Sequence, residues 1–363
     1  MKVAVGLSGG VDSSVVALLL KEAGHEVTGV TMRLWREGRY KGGGEDACFG
    51  PHEAEDIARA EEMSRTIGIP YRVFDCADEY EREIIGYFRE ASLVGLTPNP
   101  CVMCNAAMKF GMLPRVARQA GLGFDRFATG HYARIIATDG GRLAVSRAAD
   151  TKKDQSYFLY RLSQEQLAGI LFPLGELTKT EVRQIAADRG LAVANRMDSQ
   201  DFYSGDRDEL LGAVEREGEI VDLAGKVLGH HNGFWHFTVG QRKGIGVYGP
   251  EPHYVIRLDA CHNRVVVGNR EEAFVKSFAV KDMKWMALEE GAGSVTCRVK
   301  IRSTGDPVGP VTLDGDICHA PGEGLFGVAP GQSAVFYGDG DEILCGGVIA
   351  PIPPQSAETS EPI

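Results

Sequence analysis

Apolar residues follow two rhythms along this chain. From residue 1 to about residue 208, short apolar runs alternate with stretches in which apolar positions recur at helical spacing, the pattern of strand and amphipathic helix. Lys2–Leu7 reads as a short buried strand and Val15–Ala23 as a helix stopped by Gly24; Glu26–Met32 is a second strand. Glu53–Ile67 has helical periodicity and closes at Gly68, Tyr71–Asp75 is a third strand, and Tyr80–Ser92 a helix. The two prolines of Thr97–Asn105 place that stretch outside regular elements. Helical pattern resumes near Lys109 and ends around Gly121, and Arg126–Thr129 gives a strand ahead of Gly130-His131-Tyr132. Thr178-Lys179-Thr180-Glu181 is a capping box opening a helix that runs to Arg189 and ends at Gly190. Such alternation predicts an α/β doubly wound parallel sheet whose ligands sit at the carboxyl ends of the strands. The loops carrying Gly9, Met32, Cys104 and His131 are expected to share one cleft.

Beyond Asp208 the helical rhythm stops. Gly218–Asp222, Phe237–Gly244, Tyr254–Leu258 and Arg264–Gly268 read as strands of a small β-rich domain over 209–273. From Phe274 to Ala350 only strand-like runs remain, among them Val295–Ile301, Gln332–Tyr337 and Ile343–Ile349, separated by Gly/Asp/Pro turns. Short strands at such spacing predict a closed C-terminal β-barrel over 274–350. The polar, Pro-rich stretch 351–363 is expected to be a disordered tail.

The chemistry begins at Val5-Gly6-Leu7-Ser8-Gly9-Gly10-Val11-Asp12-Ser13-Ser14. This Gly-rich turn joins the first strand to the first helix, where free backbone N–H groups and the positive end of the helix dipole converge, while Ser8 and Ser13 add hydroxyls. It is a phosphate cradle. It lacks the Lys of G-x-x-x-x-G-K-S/T and is not G-x-G-x-x-G, so neither a Walker hydrolase nor a dinucleotide dehydrogenase fits. The motif S-G-G-x-D-S instead resembles the pyrophosphate loop (PP-loop) of the ATP pyrophosphatase superfamily, whose members cleave ATP to AMP and pyrophosphate while adenylating a substrate. That resemblance implies ATP and Mg2+ as cofactors, held by Gly6, Leu7, Ser8, Gly9, Gly10, Val11, Asp12 and Ser13, and makes residues 1–208 the catalytic domain.

Composition narrows the partners. With 363 residues, 44% hydrophobic and 25% charged, the chain is large enough for two or three domains with cores. No apolar run approaches membrane-spanning length and no basic leader precedes the first strand, so no membrane partner and a cytoplasmic location are expected. A net charge of −11 argues against a generic nucleic-acid binder, and any RNA must meet a local basic surface. Of the 8 cysteines only Cys101-x-x-Cys104 stands out; Cys76, Cys261, Cys297, Cys318 and Cys345 read as small core hydrophobes.

Further blocks extend the resemblance over nearly the whole chain. They are Thr97-Pro98-Asn99-Pro100, Cys104-Asn105 with Lys109-Phe110-Gly111, Ala128-Thr129-Gly130-His131-Tyr132-Ala133, Lys153-Asp154-Gln155-Ser156-Tyr157-Phe158-Leu159, Thr238–Gly246 and Pro330-Gly331-Gln332-Ser333-Ala334-Val335. Together they resemble the tRNA-specific 2-thiouridylase family. The resemblance implies adenylation of the carbon-2 carbonyl of the wobble uridine, then sulfur insertion with loss of AMP. It implies Met32 and Gly130 at the adenosine, and tRNA contacts at Asn99, Pro100, His131, Lys153, Asp154, Gln155, Arg302 and Gln332. Lys152, Arg242 and Lys243 are further candidates for phosphate. A sulfur-donor protein, a cysteine desulfurase or a sulfur carrier, is the second partner after tRNA.

Cys104 occupies the family's nucleophile position, and the chain departs from the family twice. Cys101 stands where an Asp is expected, and Ser199-Gln200-Asp201-Phe202-Tyr203 puts Tyr203 where the persulfide-bearing second cysteine is expected. The two departures are complementary, and Cys101 takes the persulfide or the resolving role because thiols of a C-x-x-C pair exchange sulfur directly. The alternative is metal: Cys48, Cys101 and Cys104 as ligands of a four-iron four-sulfur cluster. Two other classes stay open, an amidotransferase-type synthetase and a tRNA-binding protein that has lost catalysis.

Overall fold

The computed structural model of the chain describes residues 1–43, 47–192, 201–249 and 251–352. Strands β1 (Lys2–Gly6), β2 (Glu26–Arg33), β3 (Tyr71–Asp75) and β4 (Arg126–Ala128) are followed by a hairpin, β5 (Arg134–Ala137) and β6 (Leu143–Ser146), and by the short β7 (Ile170–Leu171). Five of these form one sheet in the order β3-β2-β1-β4-β7, with every neighbouring pair parallel. Val3, Ala4 and Val5 are all buried, as a strand covered on both faces by helices requires. The chain leaves β1 towards β2 and β3 and returns on its other side as β4. That reversal opens a crevice at the carboxyl ends of β1 and β4.

Helix α1 (Val11–Glu22) begins earlier than its apolar periodicity indicates, because Asp12, Ser13 and Ser14 are polar residues of a first turn rather than of a loop. α2 (Glu53–Ile67) ends on Gly68 in the left-handed conformation, as its sequence predicts. The stretch around Cys101 differs from expectation. Helix begins at Pro100 and runs without interruption through Pro100–Met103, Cys104–Met112 and Leu113–Gln119, with wide π-type turns in the middle segment. Pro100 occupies the first helical position, where its missing N–H has no partner to lose, and Asn99 caps the end by accepting from Val102 N at 3.3 Å. Both cysteines therefore lie in the opening turns of a helix.

The small domain is a sheet of Tyr254–Asp259, Arg264–Gly268, Gly218–Val221 and Val227–His231, in that order. Phe237–Gly244 is not one of its strands. Phe237, Val239 and Ile245 are buried from a succession of turns, and positive φ at Gly240, Gly244 and Gly246 breaks any strand there. The last domain is a closed barrel of Ser277–Trp285, Ile317–His319, Val308–Asp314, Val295–Lys300, Ser333–Tyr337 and Ile343–Ile349. Its core buries Cys297, Cys318 and Cys345, and Cys76 lies in the core of the first domain. Cys261 corrects the sequence reading: it is exposed in the turn between two strands of the small domain. No helix among the described residues is long and apolar enough to cross a membrane. Of the expected tail, residues 353–363 lie outside the described part.

Candidate functional site

A cleft of about 510 Å³ opens at the carboxyl ends of β1, β2 and β4. It is lined by Gly6, Leu7, Ser8, Gly10, Val11, Asp12 and Ser13 from the Gly-rich turn, by Met32 after β2, and by Gly130 and His131 after β4. Pro100, Cys101, Cys104 and Lys109 line it from the helix, Cys48 and Phe202 from two loops, and Lys153 and Gln155 from the segment after the hairpin. The segments that carry Gly9, Met32, Cys104 and His131 thus meet at one place, Cys104 from a helix rather than a loop.

The Gly-rich turn is shaped by close approach. Gly9 has φ +72°, and a Cβ there would stand 2.6 Å from the Asp56 carbonyl oxygen; a Cβ on Gly130 would stand 2.9 Å from Asp12 Cβ. Gly130 thereby lets the end of β4 abut the start of α1. Helix α1 opens on Gly10 with no side-chain cap, so its first N–H groups point into the cleft. Ser13 Oγ accepts from Ser8 N at 3.2 Å and lies 3.3 Å from Ser8 Oγ, which folds the turn around a space suited to phosphate oxygens. Asp12 is held from behind: its carboxylate accepts from Lys179 Nζ at 2.8 Å on both oxygens and from the Tyr132 hydroxyl at 2.8 Å. Lys179 was not among the residues that the sequence singled out, since its capping box marks a helix start and says nothing of what the first side chain reaches.

Three thiols face the same cavity. Cys101 and Cys104 are half-buried, while Cys48 is exposed. Burial first, and then the neighbouring Cys48, push the Cys101 thiol up to about 12; burial pushes Cys104 up to about 11, against the pull of the Lys109 ammonium. Burial works against the charge on Lys109, yet Cys104, Cys48 and Cys101 together hold its pKa above the ordinary lysine value. His131 is driven well below the ordinary imidazole range by burial and then by Lys109; its Nδ1 lies 2.7 Å from Thr129 Oγ1. Lys109 is thus a cation that favours thiolate at both cysteines of the pair. Lys109→Met is expected to move the alkylation rate of Cys104, measured against pH in a Cys48→Ser/Cys101→Ser background, to higher pH. An unshifted profile would show that Lys109 does not act on this thiol.

Cys48 is delivered by strand-like pairing. Cys48 N donates to Asp201 O at 3.1 Å and Phe49 N to Phe202 O at 2.9 Å, so the Cys48 loop lies along residues 201–203. Ser199 and Gln200 of that motif lie outside the described residues. Tyr203 does not line the cleft but packs in an aromatic cluster, with its ring 6.1 Å from Phe49 and 6.5 Å from Tyr40, and its hydroxyl donates to Glu209 Oε2 at 2.9 Å. Tyr203 is a packing residue. Although Cys48, Cys101 and Cys104 line one cleft, no three His, Cys, Asp or Glu side chains among the described residues are arranged to hold a metal ion, so the donor set as it stands does not form a cluster site.

The residues expected at RNA divide into two groups. Lys152 is exposed and Lys153 half-buried in the turn over 150–153, with Lys153 reaching the cleft, and Arg242 and Lys243 are exposed on the small domain. The others make bonds within the protein or are buried, though Pro100, His131 and Gln155 also line the cleft. Asp154 Oδ1 accepts from Ala148 N and Ser156 N, and its side chain is only 1% exposed beside Arg147. Gln155 Oε1 accepts from Tyr132 N at 2.9 Å. Arg302 donates to the Val239 and Gly327 carbonyls at 3.1 and 2.8 Å, tying the small domain to the barrel. Gln332 donates to the Thr97 and Pro98 carbonyls at 3.1 and 3.4 Å, bracing the approach to Asn99 and Pro100, both buried.

Comparison with known proteins agrees with this layout. Residues 1–203 match the family model described as tRNA methyl transferase HUP domain, 211–269 the tRNA methyl transferase PRC-barrel domain, and 275–349 the aminomethyltransferase beta-barrel domain. The tRNA-specific 2-thiouridylase MnmA of Picosynechococcus is 47% identical over 358 residues, covering 96% of this chain and 98% of its own. The protein of the same description from Endomicrobium trichonymphae is 43% identical over 357 residues, covering 96% and 99%. A solved 4-thiouridine synthetase–RNA complex with bound ATP aligns at a TM-score of 0.34 and 17% identity over 58% of this chain and 46% of that one, too slight a likeness to carry an argument. With a pyrophosphate loop and a thiol pair on one cleft, and full-length relatives at this identity, the chain belongs to the tRNA-specific 2-thiouridylase family.

Proposed function

We propose that the chain is an ATP-dependent tRNA-uridine 2-sulfurtransferase whose sulfur path runs through Cys104 and Cys101. The observation that carries this reading is that the open N-terminus of α1 and the thiol pair line one cleft, so activation and sulfur delivery act on the same bound base. The carbon-2 carbonyl oxygen of the wobble uridine attacks the α-phosphorus of ATP and pyrophosphate leaves, its negative charge met by the N–H groups of α1. Bound Mg2+ would supply countercharge to the phosphates, and Asp12 is the carboxylate that would hold it.

A donor persulfide passes its outer sulfur to the Cys104 thiolate and departs as a thiol. The terminal sulfur on Cys104 attacks carbon-2 and expels AMP, leaving a carbon–sulfur–sulfur–Cys104 linkage. Cys101 attacks the Cys104 sulfur, the S–S bond breaks with its electron pair going to the uridine sulfur, and 2-thiouridine is released with a Cys101–Cys104 disulfide. An external dithiol reduces that disulfide by two electrons. Burial of both thiols supports this order, since bare thiolate is scarce at neutral pH while the S–H of a persulfide is more acidic and more nucleophilic. The sulfur donor is a desulfurase or carrier protein, reaching the thiols from the Cys48 side, and a tRNA substrate supports a cytoplasmic site of action.

The test is incubation of the purified chain with Mg-ATP, a persulfide donor and a tRNA bearing wobble uridine. Mass spectrometry should find 2-thiouridine, with AMP and pyrophosphate formed only when tRNA is present; ATP turnover that ignores tRNA sinks the reading. Lys153→Ala is expected to weaken tRNA binding and to lower the slope of log affinity against log salt by about one unit, as loss of one phosphate contact does. Filter binding across a salt series measures this, and an unchanged slope removes Lys153 from the RNA face.

A further inference from the structure

The segment over 150–155, which the reading above turns towards RNA, is joined to the pyrophosphate loop at both of its ends. Asp150 Oδ2 accepts from the backbone N of Lys179 at 3.0 Å, while Asp150 Oδ1 and O accept from the backbone N of Lys152 and of Lys153. At the other end, Gln155 and Tyr132 exchange two bonds of 2.9 Å, Tyr132 N to Gln155 Oε1 and Gln155 N to Tyr132 O. Lys179 and Tyr132 then converge on the Asp12 carboxylate, each at 2.8 Å, and the Lys179 ammonium lies 5.8 Å from the Tyr132 ring centre. The Lys179 side chain is 9% exposed and Asp12 25%, so the pair sits where its electrostatics are poorly screened.

We propose that Lys179 is a positioning residue for adenylation: it holds Asp12 until RNA occupies the 150–155 segment, and its release then frees Asp12 for the cation that accompanies the triphosphate. The proposal rests on the RNA-facing role of Lys153. Lys179 engages both Asp12 oxygens and Tyr132 one of them, so the closed clamp competes with a cation for the carboxylate. A shift of 150–155 under RNA moves Asp150 and with it the first turn of the helix Lys179–Asp188, because Asp150 bonds the backbone at its first residue. Two sites thereby bias one shared element, which is what coupling between ligands requires.

The test compares the affinity for a non-hydrolysable ATP analogue with Mg2+, in the presence and absence of a tRNA bearing wobble uridine, in wild type, Lys179→Met and Asp150→Ala. In wild type tRNA is expected to tighten that affinity by about ten-fold, within the range of coupling between linked sites; the gain should vanish in Lys179→Met, where the analogue already binds tightly without tRNA, and in Asp150→Ala, where the clamp stays closed with it. A merely structural role weakens both affinities alike and leaves the ratio as it was. Asp150→Ala leaves the Lys179–Asp12 pair in place and serves if Lys179→Met fails to fold. An unchanged ratio in the folded variant, with Lys153→Ala still weakening tRNA binding, overturns the proposal alone. Unchanged tRNA affinity in Lys153→Ala brings down the RNA reading and the proposal with it.

Discussion

Cys104→Ser is expected to abolish 2-thiouridine formation, a loss of at least about a thousand-fold, because an alcohol in a buried site neither carries sulfane sulfur nor attacks carbon-2 at neutral pH. Cys101→Ser is expected to stop turnover as completely, since without it the uridine sulfur stays linked to Cys104. The informative readout lies upstream. Both variants keep α1 and Asp12, so tRNA-dependent release of pyrophosphate should persist, and adenylated uridine should accumulate in Cys104→Ser. In Cys101→Ser a tRNA-linked form of the protein, cleaved by dithiol, should appear on a non-reducing gel. Full thiolation by Cys101→Ser would show that this thiol only fills the position of the family's Asp. Cys48→Ser separates thiol chemistry from a cluster: under the relay it leaves single-turnover thiolation from a preloaded Cys104 intact, whereas loss of protein-bound iron together with activity would replace the relay.

Asp12→Ala and Ser13→Ala are expected to remove adenylation itself, by about two to four orders of magnitude, because each takes a group from where charge develops as pyrophosphate leaves. Neither AMP nor pyrophosphate should form, with or without tRNA, while tRNA binding remains. Asp12→Ala also removes the carboxylate that the buried Lys179 ammonium bonds on both oxygens, so a lower melting temperature is expected for that variant and not for Ser13→Ala. Pyrophosphate release at the wild-type rate in both would remove the pyrophosphate-loop assignment.

The parallel sheet could be read from the chain because buried strands such as Lys2–Gly6 and Tyr71–Asp75 are dense apolar runs between glycine-closed helices, and local rules dominate there. The same rules misplaced the thiols. Proline excluded helix from 97–105, yet Pro100 sits at the one helical position that tolerates it, and that single residue decides whether Cys101 and Cys104 lie on a loop or in a helical turn. Phe237–Gly244 has the apolar alternation of a strand, but three left-handed glycines there and just beyond override it. At the site, the Gly-rich turn announced itself by composition. Lys179 and Lys109 did not, since a lysine on a helix carries no sign of what it will face once the helix is packed. Conversely Asp154, Arg302 and Gln332 stand in motifs that suggest RNA, while their polar atoms bind neighbouring backbone and side chains.

The bond from Gln332 to Thr97 and Pro98 spans 235 and 234 residues of sequence and is one of a row of stitches between barrel and catalytic domain. Thr97 N donates to Pro330 O, Tyr157 Oη to Ser333 O at 3.0 Å, and Arg142 to the carbonyls of Trp285 and Met286. The barrel therefore forms the wall against which the thiol-bearing helix begins. For the evolution of the chain this makes the two domains a single heritable unit: a recombinant that inherits its barrel from a relative with a different seam inherits a displaced Cys101 as well.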